Sequence, residues 1–579
     1  MIVKAETDRL IFSIPVGEHI TAEAWEWLDQ TPERRYMRKS RSFIVPLSAA
    51  NAQYLMDAVI PIPENILVLL ENKIRDHEGE VKLKDISNKY KFTTKPFAHQ
   101  RHAFNLCASA PYFALFMEMG TGKTKVAIDV VDHFMEQEKI DLHLVIQPSN
   151  VLADRVWQKQ YALHSWLCNE SDLGEQWEPT ALIGSAKQRE RLLLDENTGP
   201  VYLLNYEGLQ VMENVLLPFL KRRAGCFALT LDESSWIKNP NAIRTKILLR
   251  MAEYAGYRLL LTGTPMTQNY LDLYPQFKFL HPDILGYSTF TAFRTRYAVM
   301  GGFEGKQVVG WQHIVELRKQ VRKWSYTVCK DDCLDLPSKT YKVERLDMGP
   351  QQKKLYKEMA EQFIVEIEEE LAAGGSRINK STINTVLTKS LRLSQITSGF
   401  LVMDDETIQD FDSVKLKALL EIIQNIVGYG SKAVVQCVFR HEIQRIVNLL
   451  NKNGIGAVKL DGSVPLKQRA AMLDRFRNSP DTPVVVCQVR LASMGIDLTA
   501  ANYMVRYTHT YSLQDTMQME DRIHRQGQSK NVTYIDLVCR GTVDVGIQGT
   551  LRSKFDMASY IMKQGARGFA RLADGTLTQ

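Results

Sequence analysis

The sequence predicts an α/β protein of two lobes, each a parallel sheet with helices on both faces. Three observations carry this. Between about residues 95 and 280, apolar strand-like runs alternate with helical patterns. A second alternating region spans about 411 to 550. Between them lies a stretch with helical periodicity. Alternation of this kind builds parallel sheets, because each crossover needs a helix to return the chain.

The first lobe's strand candidates are "LHLVIQP" (142–148), "PVYLLNY" (200–206), "CFALTLDE" (226–233) and "YRLLLTGTP" (257–265). The second lobe's are "AVVQCVF" (433–439), "GAVKLDG" (456–462), "PVVVCQV" (483–489), "YMVRYT" (503–508) and "VTYIDLV" (532–538). In "GPQQKKLYKEMAEQFIVEIEEELAAGG" (349–375), Leu355, Met359, Phe363, Ile367 and Leu371 recur every fourth residue, one helix stripe. Gly374 and Gly375 are its stop signal. A second helical pattern follows near 381–395. The expected organisation is an N-terminal accessory module over 1–90, a first lobe with its connector over 91–345, a helical projection over 346–410, a second lobe over 411–562 and a tail over 563–579.

Composition bounds the class. The chain has 579 residues, 45% hydrophobic and 24% charged, with 72 basic and 66 acidic residues for a net +6. That size supports several packed cores. The mild basic excess is compatible with nucleic acid. Eight cysteines are scattered, and only Cys329 and Cys333 are close; no second pair or nearby His completes a metal set, so reduced thiols are expected. No apolar run approaches the ~18 residues a membrane span needs, and the N-terminus lacks the build of a signal peptide. A soluble chain is expected, cytoplasmic in a bacterial or phage-infected cell and nuclear in a eukaryote. In the accessory module, "RRYMRKSRSF" (34–43) interleaves five basic residues with Tyr36 and Phe43. It suits either phosphate gripping with base stacking or a solvated surface strand.

Two motifs carry chemistry. "MEMGTGKTKVAIDVV" (117–131) places a glycine turn before a helix. Successive N–H groups of Gly120, Thr121 and Gly122 can cradle phosphates at the helix start, where the dipole favours anions. Lys123 would reach the β- and γ-phosphates, and the Thr124 hydroxyl would ligate Mg²⁺. Met117 stands where the longer form of this loop begins with glycine. The second motif, "LTLDESSWIKNP" (229–240), ends an apolar run in Asp232 and Glu233. Strand ends of open α/β sheets share one ligand crevice. Asp232 would hold Mg²⁺ and Glu233 would polarise the attacking water of ATP hydrolysis. "QMEDRIHRQGQ" (518–528) offers Arg522 and Arg525, three apart on a helix face, as cations for the transferring phosphoryl group.

The order of motifs resembles superfamily 2 helicases, in particular the SWI/SNF-related translocases of double-stranded DNA, in a compact bacterial or phage-like form. The resemblance runs from about 95 to 550. It rests on "KPFAHQRHAF" (95–104), "VIQPSNVLADRVWQKQ" (145–160), "LLNYEGL" (203–209), "DESSWIKNP" (232–240), "LTGTPMTQNYLDLYPQFKFLHP" (261–282), "LDLPSK" (334–339), "LRLSQITSG" (391–399), "LDGSVPLKQR" (460–469), "LASMGIDLTAAN" (491–502) and 518–528. It implies two RecA-like lobes that bind ATP and Mg²⁺. Gln100 would read adenine, and Gly495 and Asp497 would belong to the nucleotide site. Hydroxyls at Ser149, Thr262, Thr264 and Ser493 would grip a DNA backbone. The implied function is an ATP-dependent motor on double-stranded or forked DNA that remodels forks or protein–DNA complexes, acting as a monomer with replication, repair or transcription partners. Alternatives are a strand-unwinding DNA or RNA helicase and the motor subunit of a repair or restriction system. The chain departs from the family in two places. Ser235 replaces a usual histidine, which touches the coupling of hydrolysis to DNA. "VCKDDCLDLP" has Lys330 in place of the usual paired arginines before the connector.

Overall fold

The structure is a computed structural model. It describes residues 86–168, 177–195, 198–301, 307–333, 336–373, 390–403, 405–493 and 496–562, and parts of 2–70. The chain divides into two compact units, Met1–Cys333 and Leu334–Gln579.

Unit 1 begins with a four-stranded antiparallel sheet: β1 (Ile2–Ala5), β2 (Arg9–Ser13), β3 (Arg35–Met37) and β4 (Ser42–Pro46), in the order β1-β2-β4-β3. Alternation along β2 and β4 puts Leu10, Phe12, Phe43 and Val45 on one face, all fully buried. Trp25 meets Tyr36 and Phe43 edge-on at 5.2 and 5.1 Å. These aromatics build a core, so Phe43 is not available to stack on bases. The basic residues Arg34 and Arg35 are exposed.

The main body of unit 1 follows. Helix α1 (Ala98–Ala108) leads to β5 (Tyr112–Met117), then α2 (Lys123–Glu136), β6 (Leu142–Gln147), α3 (Val156–His164), β7 (Thr180–Ala181), β8 (Val201–Asn205), β9 (Phe227–Asp232), β10 (Tyr257–Leu261), α4 (Leu273–Leu280), the hairpin β11 (Ala298–Gly301) and β12 (Gln307–Trp311), β13 (Ser325–Val328) and the short α5 (Lys330–Cys333). Seven strands form a sheet in the order β13-β5-β10-β9-β6-β8-β7, every neighbouring pair parallel. Strands β6 and β9 are buried at every position, as a sheet covered on both faces requires. The order places β10 between β5 and β9, so the chain ends of these three strands line one edge.

Unit 2 opens with β14 (Lys339–Leu346), followed by α6 (Pro350–Ala373), β15 (Phe400–Val402), β16 (Ile408–Asp410), α7 (Val414–Gly428), β17 (Ala433–Cys437), α8 (Arg440–Lys452), β18 (Ala457–Leu460), β19 (Val484–Gln488), β20 (Tyr503–Arg506), α9 (Leu513–Ile523), β21 (Val532–Cys539) and α10 (Val543–Met562). Its six-stranded sheet runs β14-β21-β20-β17-β19-β18, all parallel. Within the expected span of the first lobe and its connector, 91–345, β14 pairs with β21 over its whole length, so 339–346 lies in the sheet of unit 2. Of the α6 stripe, Leu355 and Met359 pack on Ile396, Leu401 and Phe411. The side chains of 363–373 and the glycines 374–375 lie outside the described residues. Lys415 and Asp544 form a fully buried ion pair, 2.8 Å, that fastens the start of α7 to the start of α10.

Candidate functional site

The phosphate loop links β5 to α2. Gly120 and Gly122 stand at φ +84° and +91°, the left-handed region that glycine enters without penalty. Thr121 closes a turn by donating its hydroxyl to Glu118 O, 2.7 Å. Helix α2 begins at Lys123, directly after Gly122, so its free N–H groups face the loop. Lys123 is 9% exposed and Thr124 is half-buried.

Gln100 holds this loop. Its amide nitrogen donates to Thr121 O at 3.1 Å, and its amide oxygen accepts from Phe97 N at 3.0 Å. A side chain on Gly122 would collide with the Gln100 amide, its first carbon standing 2.2 Å from Nε2. The adenine-reading role proposed for Gln100 therefore requires its amide to exchange partners. His99 Nε2 bonds the same carbonyl at 2.8 Å.

Asp232 ends β9, two strands from the loop, and Glu233 follows it. The Trp157 indole N–H donates to Asp232 Oδ2, 2.9 Å, with both residues buried. Burial pushes the Asp232 carboxyl above its usual range; the Trp157 bond and the Lys123 charge pull the other way. Tyr206 donates its hydroxyl to Asp232 O at 3.0 Å and stacks on Trp236. Glu233 adopts φ +55°, ψ +58°, left-handed for a residue that is not glycine. Such conformations persist where the surroundings over-determine them, and they gather at functional sites. Thr262, at the end of β10, donates its hydroxyl to Glu233 Oε2 at 3.1 Å. Thr264 N donates in turn to Thr262 Oγ1 at 3.1 Å.

Thr262, expected as a DNA contact, sits just after the end of β10. Its side chain is fully buried and committed to the carboxylate, and Thr264 is 7% exposed. Ser149 is exposed, bonded to Glu207 at 2.6 Å. Ser235 is 2% exposed. The neighbouring Ser234 donates to Gln276 Oε1, 2.8 Å, and Gln276 donates to Pro265 O, 2.7 Å. Lys238 donates to Thr267 Oγ1, 2.7 Å. The acidic box and the loop after β10 are thus bonded at three points, a connection that no sequence spacing announces.

In unit 2, α9 ends at Ile523, so Arg525 lies in the following turn rather than on the helix face with Arg522. Arg522 is 9% exposed and Arg525 half-buried. Gln528 fixes that turn by donating to Ala501 O at 2.8 Å and Thr499 O at 3.1 Å. Burial works against ionisation of Asp497, but bonds from Thr499 and the charges of Arg525 and Arg477 outweigh it, holding the carboxyl below its usual range. Gly495 and the Ser493 side chain lie outside the described residues.

Among the described residues no cluster of three His, Cys, Asp or Glu side chains could hold a metal, and no helix is long and apolar enough to cross a membrane. No disulfide joins any two of the eight cysteines. The Asp232 carboxylate and Thr124 hydroxyl are hard oxygen donors, few in number. That suits Mg²⁺, which keeps waters and phosphate oxygens in its shell.

A phosphate loop, a buried Asp–Glu pair at the neighbouring strand ends and a second parallel sheet define a helicase-type nucleotide hydrolase. The chain matches the model of the SNF2-related domain over residues 107–398 and that of the helicase conserved C-terminal domain over 414–527. It belongs to the SNF2-related family and is an ATP-hydrolysing enzyme of helicase superfamily 2. Similar curated proteins include the TATA-binding protein-associated factor mot1 of Aspergillus fumigatus, 25% identical over 79% of this chain and 26% of that protein. An uncharacterized ATP-dependent helicase of Mycoplasma pneumoniae is 24% identical over 79% of this chain and 41% of that protein. The chain therefore spans less than half the length of these relatives. A similar solved structure is the Sulfolobus solfataricus SWI2/SNF2 ATPase core in complex with dsDNA, 23% identical with a TM-score of 0.37, covering 82% of this chain and 94% of that one.

Proposed function

We propose that the protein is an ATP-driven motor that moves along double-stranded DNA and remodels forks or protein–DNA complexes. The observation that carries this reading is the Thr262–Glu233 bond. It joins the water-activating carboxylate to the loop after β10, so a change at that loop has a direct path to hydrolysis. The site supports the following roles. Gly120, Thr121 and Gly122 offer backbone N–H groups to the phosphates, and Lys123 adds charge. Thr124 and Asp232 would hold Mg²⁺, which when bound neutralises charge developing on the γ-phosphate. Glu233 takes the proton of the attacking water. Arg522 and Arg525 supply cations during turnover. Ser149, Thr262, Thr264 and Ser493 are the candidates for phosphate-backbone contact. Such contacts are sequence-blind and weaken with salt.

ATP turnover by the full chain, measured with duplex, forked and single-stranded DNA and with RNA, tests the reading, with Glu233→Gln as the inactive control. Strongest stimulation by duplex or forked DNA is expected. Equal stimulation by RNA and duplex DNA would refute it.

A further inference from the structure

The nucleotide chemistry above leaves Lys330 unused. It is 2% exposed. Strand β13 pairs with β5, and Val328 O accepts from Glu118 N at 2.9 Å, so the chain at 328–330 runs beside the start of the phosphate loop. Lys330 N then donates to Glu118 Oε2, 2.9 Å. Its side chain lies over the loop: a first side-chain carbon on Gly120 would stand 3.8 Å from Lys330 Cε. Unit 1 ends three residues later, at Cys333.

The chain beyond is fastened at its other end. His524 Nε2–H donates to Pro337 O at 2.7 Å, and Tyr341 donates its hydroxyl to Glu520 Oε2 at 2.8 Å. Glu520 and His524 flank Arg522 on either side in sequence. The segment before the connector is therefore bonded to the start of the phosphate loop in unit 1, and Pro337 and Tyr341 are bonded to the arginine segment in unit 2.

We propose that Lys330 is a second lysine of the phosphate site, a positioning residue that senses the polyphosphate of a nucleoside triphosphate and ties the loop's state to the connector. The inference rests on the ATPase reading above. The bland alternative is an alkyl stem that packs while its charge does nothing. Lys330→Met separates the two, because it keeps the stem and removes the charge. A buried lysine's ammonium acts on nearby anions far more strongly than an exposed one.

The test uses the full chain and three ligands: a non-hydrolysable ATP analogue, ADP and AMP. Affinity and the ligand-induced rise in melting temperature are read for wild type, Lys330→Met, Lys330→Gln and Lys330→Arg. The expected result is a loss of about tenfold for the triphosphate analogue in the Met and Gln variants, with AMP affinity within about twofold of wild type. Lys330→Arg should restore most of the loss. The ligand-induced rise is measured within each variant, so a general loss of stability does not mimic it. Equal losses for AMP and the analogue, or no loss for either, would overturn the proposal. Combining Lys330→Met with Tyr341→Phe tests the connector: non-additive effects on DNA-stimulated turnover support the tie and additive effects overturn it. A wild type that binds no nucleotide would instead refute the ATPase reading.

Discussion

Replacing Trp157 with Phe removes one donor from the metal-holding carboxylate and little else that is polar. The indole N–H sits 2.9 Å from Asp232 Oδ2, and both partners are buried. Burial already drives the Asp232 pKa upward, and the Trp157 bond is the foremost influence holding it down. A hydrogen bond to a charged group is worth about 1.5–3 kcal/mol. Its loss destabilises the ionised form by about that much and so raises the carboxyl pKa further. The ionised form is the one that holds Mg²⁺, so activity is lost as pH falls through this pKa. The acid limb of the pH–rate profile should therefore move to higher pH in Trp157→Phe. The smaller ring also leaves a cavity costing about 1–3 kcal/mol of stability. The assay is kcat/KM for Mg–ATP between pH 5 and 9, beside a melting curve. A lowered melting temperature with an unmoved acid limb would show that Trp157 only fills space, and the reasoning would fail.

Three further outcomes are expected. Glu233→Gln should keep nucleotide binding, read by ligand-induced melting shift, while DNA-stimulated hydrolysis falls at least a hundredfold; retained turnover would remove Glu233 from the chemistry. Lys415→Ala should destabilise unit 2 by about 3–5 kcal/mol in denaturant titration, because it strands Asp544 as a buried unpaired carboxylate. Burial pushes the Asp132 carboxyl up to about 7, despite bonds from Ser165 and Trp166 N–H. Its folded-state pKa lies above the unfolded one, so the stabilising contribution is full below about pH 4 and lost as pH rises through 7. Asp132→Asn should flatten the fall in melting temperature over that window, and an unchanged slope would contradict the assignment.

Much of this was legible in the sequence because local signals and global fold agree. Glycines at 120 and 122 announce a loop with positive φ, and the apolar run before Asp232 announces a buried parallel strand. What stayed hidden depends on contacts far apart in the chain. Trp157 reaches Asp232 across 75 residues, and only the fold reveals it as a hydrogen-bond donor. The bond from Thr262 to Glu233 was equally hidden, because it depends on the strand order that sets β10 between the loop and the acidic pair. Strand β14 follows the connector directly, and only its pairing with β21 assigns it to the second sheet. Tyr36 and Phe43 showed the composition of a binding surface, but β-alternation sends Phe43 into the core and packs Tyr36 against it.

The central claim is movement along an intact duplex. Its most direct test is displacement of a third strand from a triplex by the full chain with ATP. The account predicts ATP-dependent displacement that Glu233→Gln abolishes, with the underlying duplex left paired. ATP turnover without displacement, or separation of the duplex strands, would contradict it.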